Sequence, residues 1–270
     1  MGFQEADFNL SSVVGSGPAG LQAALTASNR GHDVTLYEKN NRLGGALYYV
    51  GLPEFKKDYR DYTDYIVNEV KNSSVDIKIN TEANVKTFKE GRYDKVLVAT
   101  GASTFVPGIN GTDEGNILDP LKVLDGEIPE GEEVLVCGAG LVGCEVSMFL
   151  AERGKKVTMI DMLPEPAMEL AIYTRWVLNA KLAELGVDVK CNQKIEKMTE
   201  DSVKCLCDEK ESEFKADAVV CALGLKSDRS LLDDLRKELK NIDIIPIGDV
   251  NEPRKIIQAV HEGYHAARRI

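Results

Sequence analysis

The chain lacks a long apolar run, an excess of basic charge and any cysteine pair spaced for redox or metal work. Each absence removes a class of function. The longest apolar segment, Ala218 to Leu223, is far shorter than the roughly 20 residues that a membrane-crossing helix needs. Lys and Arg number 33 against 44 Asp and Glu, a formal net charge of -11. Such a surface repels phosphate backbones and anionic lipid, so neither nucleic acid nor a membrane is expected as a partner. The six cysteines form no CxxC pair, so no thioredoxin-type couple, zinc site or iron–sulfur site is visible. Cys205 and Cys207 flank Leu206 in a strand-like stretch, where i and i+2 lie too far apart for an easy disulfide. Buried or half-buried free thiols in a reducing cytoplasm are therefore expected. The opening Met1 to Asp7 is polar and acidic, unlike a secretory leader, and Ala6 stands where myristoylation favours Ser or Thr.

What is present is an ordinary globular composition over 270 residues, with 43% hydrophobic and 29% charged residues. That suffices for one large domain or two of usual size.

An internal repeat organises the chain. Gly15-Ser16-Gly17-Pro18-Ala19-Gly20 and Gly138-Ala139-Gly140-Leu141-Val142-Gly143 are both GxGxxG, 123 residues apart. Each follows an apolar strand and opens an apolar helix, and each has an acid 23 residues past its first glycine, Glu38 and Asp161. At the same offset, Thr100-Gly101 and Leu223-Gly224 close two further strands. One such glycine motif is weak, since ordinary tight turns also use glycine. Two with matching carboxylates form a dinucleotide-binding pattern. The first glycine permits the tight turn, the second lets a pyrophosphate approach the backbone, and the third lets helix and strand pack closely. The helix start offers unpaired N–H groups to the phosphates, and the carboxylate accepts from ribose hydroxyls.

Spacing predicts helices over 18–30 and 141–153, each stopped by a glycine, Gly31 and Gly154. Further helices are expected over 53–72, 168–185 and 256–269, strands over 75–79, 187–191 and 242–247, and a meander over 194–214. The turn-rich Pro107-Gly108 and 126–132 are candidates for crossings between two units. A tail of one strand and one helix cannot bury itself, so it is expected to return and complete the first unit. The expected fold class is α/β, two Rossmann-like domains with the second inserted in the first: residues 1–107 with 226–270, and residues 108–225.

This arrangement resembles the two-dinucleotide-binding-domain flavoproteins, and more closely the C-terminal portion of the NADH:flavin oxidoreductases related to old yellow enzyme. That group contains 2-enoate reductase, 2,4-dienoyl-CoA reductase and trimethylamine dehydrogenase. The stretches that carry the likeness are Arg42-Leu43-Gly44-Gly45-Ala46-Leu47, Pro107-Gly108-Ile109-Asn110-Gly111, Val142-Gly143-Cys144-Glu145, the run from Ile247 to Ile256, and Glu262-Gly263-Tyr264-His265-Ala266-Ala267. In that group a (β/α)8 barrel carrying FMN and an iron–sulfur cysteine cluster precede this portion, and neither is found here. A piece of a longer enzyme is therefore the expected context, with that domain as partner.

The resemblance implies FAD in the first copy, held by Gly15, Gly17, Gly20 and Glu38. Arg42, Gly44 and Gly45 would lie along the pyrophosphate, Val85 beside the adenine, Thr100 and Gly101 near the cofactor, and Gly248 and Asp249 at the ribityl chain. A solvated charge is the alternative for Arg42, and a helix N-cap near Val250 for Asp249. The helix from Ile256 would aim its positive end at the flavin. In the second copy, Gly138, Gly140 and Gly143 would cradle NADH, Glu145 would reach the nicotinamide or flavin edge or else be a helix-surface charge, and Gly224 would pass the nicotinamide. Asp161, with no arginine in Met162-Leu163-Pro164, favours NADH over NADPH.

Hydride transfer from nicotinamide to flavin needs no protein acid or base, so no catalytic residue is named. The expected function is an oxidoreductase module passing hydride from NADH to FAD and electrons onward. The alternative is a non-catalytic domain holding only ADP. A thioredoxin-reductase-like enzyme ranks last for want of a CxxC after Gly143. His261 and His265, four apart, make at most half a metal site, and His32 sits in a turn. Tyr48 and Tyr49 either shield the flavin or pack.

Overall fold

The structure, a computed structural model, describes residues 10–109, 117–208 and 210–270. Asn110, Gly111 and the opening Met1 to Asp7 lie outside these. The chain divides into two compact units, Met1–Ser103 with Lys226–Ile270, and Thr104–Leu225.

In chain order the first unit opens with β1 (Leu10–Val14), α1 (Pro18–Asn29) and β2 (Asp33–Tyr37), then α2 (Ala46–Val50) and α3 (Lys57–Lys71). It continues with β3 (Asp76–Lys78), α4 (Val85–Glu90), β4 (Lys95–Val98) and β5 (Ala102–Thr104). Pro18 sits in the first turn of α1, where its missing N–H has no intrahelical partner to lose. The expected helix from Pro53 begins as a single 3-10 turn, Glu54–Lys56, before α3.

The second unit carries α5 (Pro120–Leu124), β6 (Glu133–Cys137), α6 (Leu141–Ala151), β7 (Lys156–Ile160), α7 (Ile172–Glu184) and β8 (Asp188–Lys190). β9 (Lys194–Met198), β10 (Ser202–Cys207) and β11 (Lys210–Lys215) form the expected antiparallel meander. β12 (Ala218–Cys221) then joins β6, β7 and β8 in a parallel sheet of order β12-β6-β7-β8, and β13 (Leu225–Ser227) follows. The turn-rich stretch 126–132 carries no crossing; it lies inside this unit, between α5 and β6. α7 starts four residues later than expected. Ala167 adopts left-handed backbone (φ 49) and its N–H donates to Ala139 O at 2.7 Å, which holds the preceding segment out of the helix.

The tail returns to the first unit as α8 (Ser230–Glu238), β14 (Asp243–Pro246) and α9 (Ile256–Ala267). β14 pairs parallel with β4, giving a sheet of order β14-β4-β1-β2-β3. Alternate residues of β4 face opposite sides. Leu97 packs with Leu21, Ile66, Val70 and Ala259 of α1, α3 and α9, whereas Val96 and Val98 pack with Phe88, Leu232 and Leu235 of α4 and α8. The sheet is thus covered on both faces, the usual condition of a parallel sheet. α4 and α8 were not expected: six residues are too few to show a helical period, and α8 buries only Leu232 and Leu235 among charged neighbours.

Some buried hydroxyls work against stability, that of Ser147 among them. The hydroxyl of Ser147 is buried in the middle of α6 and has no hydrogen-bond partner among the described residues. Ser147→Ala removes that desolvation penalty and raises helix propensity together. A stabilisation of about 1 kcal/mol is expected, read as a higher denaturant midpoint.

Candidate functional site

The carboxyl ends of β14, β4, β1 and β2 lie side by side, since Val98 pairs with Val14 and Pro246, and Val14 with Tyr37. All of these strands run parallel, and the strand order reverses at β1, with β2 on one side and β4 on the other, the place where open α/β sheets receive ligands. Gly15, Glu38, Thr100 and Gly248 each follow one of these strand ends, so the topology gathers them on one edge.

The three glycines of the first elbow have different reasons to be glycine. Gly15 has φ 97, and a Cβ there would collide with Ala99 O. A Cβ at Gly20 would collide with Gly15 O, so the first turn of α1 lies directly on the end of β1. Gly17 is unlike both. Its φ of -68 and ψ of -176 suit any residue, and a Cβ there would meet nothing within 4 Å. Neither backbone nor packing requires a glycine at this point, which is the start of a helix with no side-chain cap. A ligand approaching the backbone is what would require it.

Glu38, only 4% exposed, braces the elbow. Its Oε2 accepts from Ser16 N–H at 3.0 Å and Ser16 Oγ at 2.5 Å, and its Oε1 accepts from Asn40 N–H at 2.8 Å and Asn40 Nδ2 at 2.9 Å. The roles of Ser16 and Asn40 were missed in the sequence, although Ser16 stood inside the motif. Gly44 and Gly45 fold over the elbow: Gly44 N–H donates to Ser16 O at 3.0 Å, and a Cβ at Gly45 would stand 2.8 Å from Gly17 Cα. Arg42 is half-buried. Its guanidinium lies 3.4 Å from the centroid of the Tyr48 ring, and Tyr48 packs edge-on against Tyr49.

Val85 opens α4 behind Asn84, whose side chain accepts from Lys86 N–H and Thr87 N–H while Thr87 Oγ1 accepts from Asn84 N–H. This capping box could have been read from Asn84 and Thr87. Thr100 Oγ1 donates to Asp228 O at 2.8 Å, and Gly101 has φ 78 with open space on its Cβ side. Gly248 has φ 72 and a Cβ would stand 2.8 Å from Ala19 Cβ; its N–H donates to Glu262 Oε2 at 2.8 Å. Asp249 is not the N-cap of a helix near Val250, because it lies within a 3-10 turn, Gly248–Val250, and its Oδ1 accepts from Arg254 N–H at 3.2 Å. Burial pushes its carboxyl pKa up, against the opposing pull of the Arg254 N–H and guanidinium. Glu262 also pairs with Arg254 and so ties α9 to this turn.

The second elbow repeats the construction. Gly138 has φ 107 and would collide with Ala222 O, and a Cβ at Gly143 would collide with Gly138 O. Gly140 again has ordinary extended backbone, φ -67 and ψ -179. Asp161 Oδ2 accepts from Ala139 N–H at 2.6 Å and Oδ1 from Leu163 N–H at 2.8 Å. Leu141 N–H, at the start of α6, donates to Glu169 Oε1 at 2.6 Å. Glu145 is 3% exposed and so is no helix-surface charge. Gly224 has φ 118, open space on its Cβ side, and a carbonyl that accepts from Phe105 N–H at 2.9 Å.

The six cysteines are free thiols. Burial pushes Cys144 up to about 12 and Cys205 up to about 11, and the carboxylates of Glu169, Glu145 and Asp161 add to the rise at Cys144. At neutral pH these two thiols stay protonated and poor nucleophiles. His261 and His265 stand 6.3 Å apart by ring centroid on α9, and no cluster of three metal-ligating side chains occurs among the described residues. Among the same residues no helix is long and apolar enough to cross a membrane.

Residues 11–255 match the pyridine nucleotide-disulphide oxidoreductase family, and the chain belongs to that family, whose members bind FAD and NAD(P)H. It is 34% identical to an NADH oxidase of Thermoanaerobacter brockii over 265 residues and 34% identical to a cinnamate reductase of Clostridium sporogenes over 261. Each alignment covers 96% of this chain but 40% and 39% of the relative. The chain thus spans about two fifths of the length of these relatives. A 2-naphthoyl-CoA reductase solved with 2-naphthoyl-CoA superposes with a TM-score of 0.92 at 27% identity, over 98% of this chain and 40% of that one. Thioredoxin reductase of Lactococcus lactis shares the fold alone, with a TM-score of 0.76 at 18% identity over 97% of both chains. The chain is a module of this oxidoreductase class, with the mixed α/β fold and two dinucleotide elbows expected from its motifs.

The two kinds of glycine separate by mutation. Gly20→Ala forces a methyl onto a backbone carbonyl and is expected to destabilise the protein by about 2 kcal/mol. Gly17→Ala is expected to leave the ligand-free melting temperature nearly unchanged while weakening FAD binding at least about tenfold. Thermal melts and flavin titrations of the two variants check both.

Proposed function

We propose that the first elbow holds FAD and the second NADH, and that hydride passes from NADH to FAD with electrons leaving for a further acceptor. The observation that carries this reading is the pair of glycines, Gly17 and Gly140, whose backbone any residue could adopt and which no neighbouring main chain crowds, each at a helix start beside a braced carboxylate. The bound cofactors supply the hydride chemistry; the protein supplies place and orientation.

On this reading Gly15, Gly17 and Gly20 bring the first-turn N–H groups of α1 against the FAD diphosphate, with Gly44, Gly45 and the stacked Arg42 alongside. Glu38 fixes the elbow, and the adenosine ribose takes the place of one of its side-chain donors, Ser16 Oγ or Asn40 Nδ2. Val85 lies toward the adenine, Thr100 and Gly101 pass the cofactor at the strand end, and Gly248 and Asp249 meet the ribityl chain. Gly138, Gly140 and Gly143 do the same work for NADH, with Gly224 at the nicotinamide. Glu145, buried on α6, orients the nicotinamide end. Among the described residues the Asp161 carboxylate accepts two hydrogen bonds and so keeps acceptor capacity for ribose hydroxyls. Met162, Leu163, Pro164 and Glu165 follow it with no cation to receive a 2′-phosphate, which favours NADH over NADPH.

The acceptor is the domain that the longer relatives have room for, a (β/α)8 barrel carrying FMN and an iron–sulfur centre in a longer parent chain. The free thiols suit a cytoplasmic setting.

The test is an anaerobic absorption spectrum of FAD-loaded protein before and after NADH. The flavin band is expected to bleach, with NADPH at least about tenfold less efficient. A flavin-loaded sample that NADH leaves unchanged refutes the reading, and release of ADP alone from purified protein supports the non-catalytic alternative.

A further inference from the structure

The two elbows are built alike, and one difference between them lies at the helix start. In the first, nothing lies within 4 Å of a Cβ placed on Gly17, and α1 begins without a side-chain cap. In the second, the same position is met by Glu169 Oε1 at 3.5 Å, and that oxygen accepts from Leu141 N–H at 2.6 Å. A carboxylate therefore sits at the start of α6, against the open side of the glycine that a diphosphate would approach. A helix start favours any anion there, a side chain's as well as a ligand's.

The loop carrying Glu169 is anchored elsewhere. Ala167 is 1% exposed, holds left-handed backbone and donates its N–H to Ala139 O at 2.7 Å. Glu169 lies two residues beyond this anchor and is exposed. Displacing its carboxylate from Leu141 N–H breaks neither the Ala167 anchor nor the Asp161 brace, which are made by other residues.

On the reading that this elbow takes NADH, we propose that Glu169 is a built-in anion that the dinucleotide diphosphate must displace, and thereby a residue that sets affinity at this site. The carboxylate and the diphosphate cannot both hold the Leu141 N–H. Every diphosphate ligand binds in competition with Glu169, and a nucleoside without phosphates does not. An exposed anion at a helix start is held weakly, so the competition weakens binding by roughly two- to sixfold.

The test uses protein saturated with FAD, so that only the second elbow is available, and calorimetric titration with ADP-ribose, NAD+ and adenosine. Glu169→Ala is expected to bind ADP-ribose and NAD+ roughly two- to sixfold more tightly than wild type, with adenosine unchanged. Glu169→Gln keeps the size and loses the charge, and is expected to show a smaller gain. Glu165→Gln removes a charge from the same loop, where Glu165 pairs with Arg175 at 3.3 Å, and is expected to change binding less than twofold. Unchanged or weaker ADP-ribose binding in both Glu169 variants overturns the proposal, as does an equal gain in Glu165→Gln, which would make the effect one of general charge. A wild-type protein that binds neither ADP-ribose nor NAD+ overturns the NADH reading itself, and the competition with it.

Discussion

Both nucleotide elbows depend on one close approach, the first turn of a helix lying directly on the carbonyl that ends the preceding strand. A side chain at Gly20 or Gly143 would strike Gly15 O or Gly138 O. Because only hydrogen stands there, each helix begins beside the strand end, and its first N–H groups face the carboxyl edge of the sheet. The brace follows from the same geometry. With the turn this tight, Ser16 and Ala139 present their N–H groups to the acid at the end of the neighbouring strand, Glu38 and Asp161. The remaining glycine in each motif answers to no internal demand.

Matching frames carry unequal chemistry. Glu38 is buried and its acceptor positions are taken by Ser16 and Asn40. Asp161 faces Ala139, which has no hydroxyl to offer, and so retains capacity for a ligand. Glu169 closes the second elbow with a carboxylate, and the first has no counterpart. The first elbow thus has a fully engaged brace and an open helix start, the second a partly engaged brace and a helix start met by a carboxylate.

Much of the frame was legible in the residues. The repeat, the two acids and the helices that open on glycine follow from local spacing, and the return of the tail follows from the inability of one strand and one helix to bury themselves. Side-chain partnerships were not legible. Arg42 and Tyr48 are six apart and meet because the intervening glycines reverse the chain. Glu262 reaches Gly248 only because α9 packs onto α1 at Gly263, where a Cβ would strike Ala19 O. Glu145 is buried because α6 is covered along most of its length, which a window of apolar spacing does not reveal.

The amino-acid sequence by itself determined where the chain bends, which helices begin at glycine, and which acids stand one strand away. These are properties of backbone freedom and short-range periodicity. The tertiary structure alone decided how much hydrogen-bonding capacity each acid retains, which glycine faces open space, and that Glu169 lies against Leu141. Those outcomes depend on segments tens of residues apart meeting within hydrogen-bond distance, and no local pattern encodes such meetings.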